Sequence, residues 1–118
     1  MSDAISPWLP EQNRLRLAIL GKLAEEASEL SARASRCIIQ GLDERDPDSG
    51  LLNSEELRRE VADVLACIEM LRSRMGLRAD EGRLARKFAG FKRWHSMIEG
   101  ERYLAEAVRE ALNPDNRG

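Results

Sequence analysis

Apolar residues recur along much of this chain with the period of an α-helix. Leu20, Leu23, Ala27, Leu30, Ala34 and Cys37 are spaced by 3, 4, 3, 4 and 3 residues, the stripe of a helix that packs lengthwise against a partner. No proline lies between Pro10 and Pro47, so one long helix is predicted from about Glu11 to Gln40, with Gly41 as its stop. Residues 1–10, carrying Pro7 and Pro10, read as an irregular lead-in. The stretch from Gly41 to Asn53 concentrates Gly, Pro, Asp and Ser and reads as the main connector. Asn53, with Glu56 three residues later, fits a helix cap whose side chain accepts from the first-turn amides. The second stripe is Leu57, Val61, Val64, Ile68, Leu71 and Met75, ending at Gly76, which suits a left-handed cap. Asp80 then caps a third helix to about Met97, with Leu84, Phe88, Phe91 and Trp94 on its apolar side. Gly100 is expected to separate a last amphipathic piece, Glu101 to Leu112, ahead of a polar tail over 113–118.

The expected architecture is therefore all-α: a single helical domain of two long and two shorter helices. With 118 residues there is room for one core, and five aromatics (Trp8, Phe88, Phe91, Trp94 and Tyr103) leave that core to Leu, Ile, Val and Ala. Long apolar stripes on so small a chain also predict oligomerisation, with a four-helix bundle completed between subunits. Nineteen basic against 21 acidic residues give a net charge of -2, which offers no footprint for nucleic acid or for a membrane surface. Apolar runs are too short to span a bilayer, and no secretory leader is legible, so a cytoplasmic location is expected. Cys37 and Cys67 fall in helical patterns without zinc spacing and read as small buried hydrophobes.

Placing the carboxylates on these helices changes the picture. Glu25, Glu26 and Glu29 share one side of the first helix, and Glu60 and Asp63 repeat the i, i+3 spacing on the second. Glu26 and Glu60 each lie roughly 70° from the centre of their stripes, at the border of the packing face. An antiparallel hairpin would bring four or five carboxylates together. Two carboxylates about 5 Å apart repel by about 3 kcal/mol at an effective dielectric near 20, which calls for a counter-ion. Oxygen-only donors suit Mg²⁺ or Mn²⁺, and the lack of His or Cys nearby argues against zinc. Against this, Glu is a good helix former and charged runs usually mark a solvated face. Residues Leu30 and Val64 stand where an i+4 cation would neutralise Glu26 or Glu60, whereas Arg33 is placed to pair with Glu29.

The two clusters, Glu25-Glu26-Ala27-Ser28-Glu29 and Glu60-Val61-Ala62-Asp63, resemble the EExxE and ExxD signature of MazG-type all-α nucleoside triphosphate pyrophosphohydrolases. Thirty residues separate Glu29 from Glu60, and the likeness extends over about Leu15 to Lys92. It implies Mg²⁺-dependent hydrolysis of a nucleoside triphosphate between the α and β phosphorus atoms, giving a monophosphate and pyrophosphate, in nucleotide-pool cleansing or balance. It also implies a homodimer or homotetramer. Carried over by position, Glu26, Glu29, Glu60 and Asp63 match the metal-binding carboxylates. Glu25 is then a further ligand, a group that orients one, or the catalytic carboxylate that polarises the attacking water. Lys22, Lys87, Lys92 and Arg93 are candidates to bind the triphosphate, although Lys22 is equally explained as an i, i+4 partner of Glu26. Many family members carry Lys-x-x-x-Asn after the second acidic motif, and here Phe91 follows Lys87 by four. Trp8, Phe91 or Trp94 can stack on a base, while Phe88 and Phe91 beside Leu84 also read as core. His95 has no recognisable partner for general-base work and reads as a surface residue. Phosphoribosyl-ATP hydrolysis shares the same acidic layout, and a non-catalytic helical interaction module remains the reading from a different class.

Overall fold

A computed structural model describes residues 8–113. The lead-in expected over 1–10 and the tail expected over 113–118 thus fall largely outside the described residues. Within them the chain is all-helical: α1 spans Arg14–Gln40, α2 Asn53–Met75 and α3 Glu81–Leu112. The only extended pairing among the described residues is an isolated antiparallel bridge between Arg45 and Leu52. None of these helices is long and apolar enough to cross a membrane. Two compact units form, one reaching to Arg78 and holding α1 and α2, the other beginning at Ala79 and holding α3.

α1 begins three residues later than the expected start at about Glu11, because Asn13 caps it. The Asn13 Oδ1 accepts from the Leu15 and Arg16 amides at 3.0 and 3.1 Å, satisfying donors that have no helical partner. α2 ends where expected, with Gly76 at φ 66°, a left-handed conformation that costs other residues a steric penalty. Its start differs from expectation. The residue before the helix is Leu52, and the first amides of α2 are satisfied by connector carbonyls: Asn53 N donates to Glu44 O at 2.8 Å and Ser54 N to Leu42 O at 3.0 Å. The Asn53 side chain is thereby released from capping and turns inward.

α3 corrects the expected break at Gly100. The helix runs through it to Leu112, with Asp80 as the cap, its Oδ1 accepting from Arg83 N at 3.0 Å. A mid-helix glycine costs only about 1 kcal/mol relative to alanine, and the flanking residues, without proline, outweigh it. The described residues therefore form three helices rather than four. Phe88, Phe91 and Trp94, expected to fill an apolar side, are exposed, and the Lys92 ammonium lies 4.9 Å from the Phe88 ring centre.

The α1–α2 hairpin packs through a seam that is rotated from the apolar stripes. The less exposed positions of α1 are Ile19, Leu23, Glu26, Leu30, Arg33 and Cys37, and those of α2 include Leu57, Glu60, Val64, Cys67, Leu71 and Met75. Glu26 and Arg33 thus occupy seam positions in place of Ala27 and Ala34, and Glu60 and Cys67 in place of Val61 and Ile68. Val61 and Ile68 are exposed, as is Leu20. One residue along a helix is a rotation of about 100°. In an antiparallel pair, the residues that follow the seam positions emerge on the same side from both helices, so Leu20, Val61, Leu65 and Ile68 share one outer side. Cys67, at 7% exposure, is the single buried hydrophobic side chain among the described residues, and the most buried residue of all is polar, Asn53 at 0%.

Candidate metal centre

The seam rotation moves Glu26 and Glu60 from the border of the packing face into it. Glu26 and Glu29 from α1 and Glu60 and Asp63 from α2 converge, with one carboxylate oxygen of each lying within 4.8 Å of the others. Glu26 and Glu60 form the half-buried floor, while Glu29 and Asp63 stand exposed at the rim. Glu26 Oε2 and Glu60 Oε2 are both buried without a hydrogen-bond partner. A buried acceptor without a donor is uncommon in native proteins and costs free energy, most of all when charged. Burial, with the charges of Glu29 and Asp63 adding to it, pushes the Glu26 carboxyl above its ordinary value, against the pull of Lys22.

Lys22 is the nearest cation. Its Nζ lies 3.4 Å from Glu25 Oε2 and 3.8 Å from Glu26 Oε1, so it serves both carboxylates of the adjacent pair. The hydrogen bond to Glu25 is the main cause that raises the Lys22 pKa, and the ammonium stays charged. Glu25 itself is more than half exposed and is not one of the four converging carboxylates. Lys87, Lys92 and Arg93 belong to α3, in the second unit. Lys87 borders a cavity of about 510 Å³ along that helix, with Arg83, Arg86, Gly90, Phe91 and Trp94. His95 is exposed beside Glu99, 3.5 Å away.

A groove opens from the carboxylates along the hairpin. Its first section, about 340 Å³, is bordered by Lys22, Glu26, Asp63, Ala66, Cys67 and Met70. It continues into an apolar slot of about 230 Å³ between Ala18, Ile19, Lys22, Cys67 and Met70. Beside the seam residues Ile19, Glu26 and Cys67, the others, Ala18, Lys22, Asp63, Ala66 and Met70, each precede a seam position by one, which puts them on the side of the hairpin opposite Leu20, Val61, Leu65 and Ile68.

The connector holds a second polar group that sequence reasoning did not foresee. Arg33 does not turn to Glu29. Its Nη1 donates to Asp46 Oδ2 at 2.6 Å and to Asn53 Oδ1 at 3.3 Å, and its Nη2 to Glu56 Oε2 at 3.5 Å. Asp46 Oδ1 accepts from the Asp48 and Ser49 amides at 2.7 and 3.2 Å, the turn that an Asp ahead of Pro47, Asp48 and Ser49 favours. That turn was the one available signal. The Arg33 guanidinium first, then these two amides, holds the Asp46 carboxyl well below the usual carboxylate range. Asn53 Nδ2 donates to Gly41 O at 3.0 Å and to Gln40 Oε1 at 3.4 Å, tying both ends of the connector together.

The carboxylates fit a hard divalent cation by donor type, by convergence and by their two orphaned oxygens. No family model, no curated protein and no solved structure matches the chain.

Proposed function

We propose that this chain is a divalent-cation-dependent nucleoside triphosphate pyrophosphohydrolase, cleaving between the α and β phosphorus atoms to yield a nucleoside monophosphate and pyrophosphate. The observation that carries the reading is the convergence of Glu26, Glu29, Glu60 and Asp63 with two buried oxygens left unpartnered. Those four residues would hold Mg²⁺, or Mn²⁺ in its place, through carboxylate oxygens. A bound ion supplies charge neutralisation at phosphoryl oxygens and acidifies water. Lys22, charged and at the groove, is placed to meet a phosphate oxygen. Glu25 stays outside the four and is the carboxylate available to polarise the attacking water. The apolar slot beyond Cys67 and Met70 suits the nucleoside end, which an apolar wall can cover while the phosphates face the carboxylates.

The same proposal includes a homodimer or homotetramer. A hairpin with one buried hydrophobic side chain leaves Leu20, Val61, Leu65 and Ile68 uncovered on one side. A second copy packed there would complete a four-helix bundle and leave the carboxylate groove open on the other side.

Pyrophosphate release from eight ribo- and deoxyribonucleoside triphosphates, with and without Mg²⁺, tests the reaction in the wild type and in Glu60→Ala. The expected result is Mg²⁺-dependent release of pyrophosphate and monophosphate, lost in the variant. No release from any of the eight, without a Mg²⁺-induced rise in Tm, would refute it in favour of a non-catalytic bundle. No release with such a rise would point to phosphoribosyl-ATP as substrate.

A further inference from the structure

Arg33 stands one helical turn beyond Glu29 on α1, and Glu56 one turn before Glu60 on α2. A glutamate four residues ahead of a basic residue is the favourable orientation for an ion pair along a helix. Left to itself, α1 would therefore offer the Arg33 guanidinium to Glu29. In the folded hairpin that guanidinium is engaged instead by Asp46, Asn53 and Glu56. Asp46 is 2% exposed and takes a second cation, Arg36, at 3.3 Å. Its other oxygen is anchored to the backbone of the 46–49 turn. The planar fork of arginine suits this place, because its two terminal nitrogens reach Asp46 and Glu56 at once, which a single ammonium cannot do.

We propose that Asp46 is a positioning residue for the cation site: by holding Arg33 against the connector, it keeps that guanidinium off Glu29 and leaves the Glu29 carboxylate open to a cation. The proposal rests on the reading of Glu26, Glu29, Glu60 and Asp63 as a divalent-cation centre. Affinity at such a centre depends on the charge count of its ligands. A guanidinium folded onto Glu29 would occupy one ligand and bring a positive charge beside an incoming dication. Arg33 and the Asp48 and Ser49 amides hold the Asp46 carboxyl well below its ordinary range, so the restraint is in place at neutral pH.

Mn²⁺ titration of the full chain, with free ion followed by electron paramagnetic resonance, tests this on the wild type, Asp46→Asn and the double variant Asp46→Asn/Arg33→Gln. Asp46→Asn should weaken Mn²⁺ binding about three- to tenfold, as the freed guanidinium turns to Glu29. The double variant should return to within about twofold of the wild type, since it has no cation to release. A residue that merely stabilised the fold would give a double variant no better than the single one, and that result, like unchanged binding in Asp46→Asn, overturns the proposal. Circular dichroism melting establishes that each variant is folded. If Asp46→Asn does not fold, Arg33→Lys tests the same point with every carboxylate retained. It should bind Mn²⁺ about two- to fivefold more weakly, and unchanged affinity would overturn the proposal. A wild type that takes up no Mn²⁺ would instead remove the metal reading itself, and this inference with it.

Discussion

Replacing Glu60 by Gln keeps the size and hydrogen-bonding reach of the side chain and removes one of the four converging charges. At the limiting separation of 4.8 Å, a pair of unit charges repels by about 3.5 kcal/mol at an effective dielectric of 20 and by about 0.9 kcal/mol in water. Two of the four carboxylates are exposed at the rim, which draws their share toward the lower figure. Relief of about 1 to 3 kcal/mol is therefore expected for the metal-free protein, equivalent to roughly 5–20 °C in Tm for a domain of this size. With Mg²⁺ that difference should shrink. An ion at ten times its Kd stabilises the wild type by about 1.4 kcal/mol, and a variant with three carboxylates gains much less. Urea denaturation followed by circular dichroism, in EDTA and in Mg²⁺, reads both effects from the same samples. A variant no more stable than the wild type in EDTA, with an equal response to Mg²⁺, would refute the reasoning, because the carboxylates would then be independently solvated.

Three further outcomes follow from the geometry. Asn53→Ala loses an acceptor for the Arg33 guanidinium and a donor to Gly41 O, and should cost about 3–4 kcal/mol in urea unfolding; a loss below about 1 kcal/mol would mean that the connector is not held by this side chain. The Glu26 carboxyl sits above its ordinary value of 4.5, so its favourable contribution is complete below that pH and is lost as pH rises through the folded value. In EDTA the wild type should therefore lose stability relative to Glu26→Gln as the pH is raised above 4.5, and parallel urea midpoints for the two proteins would contradict the burial. Gly100→Ala introduces a methyl group that meets nothing within 4 Å in a continuous helix; it should raise helicity and stabilise α3 by about 0.5–1 kcal/mol, whereas a loss of helical signal would place a break there.

The chain's own pattern determined the helices and the ends that local chemistry governs. The periodic stripes, Gly76 and the Asp80 cap depend on residues close in sequence, and each of these features is present. The carboxylate spacing belonged to the same local level, since i, i+3 pairs face one way on any helix. Which face of each helix turned inward was a matter for the tertiary structure. Apolar periodicity centred the seam on Ala27, Ala34, Val61 and Ile68, yet the hairpin packs about one residue round, on Glu26, Arg33, Glu60 and Cys67. A partner helix and a connector with buried acceptors can make a polar side chain the better occupant of a seam, and neither is visible in the periodicity of one helix. Arg33 shows the same limit. Its helical neighbour Glu29 is four residues away, but Asp46 and Glu56, 13 and 23 residues distant, hold it. Asn53 was read as a cap because its local sequence allows one, and the carbonyls of Leu42 and Glu44 took that work once the connector folded back. Long-range partners of this kind exist only after the chain has closed, which is why the carboxylates could be named in advance while the polar clamp beside them could not.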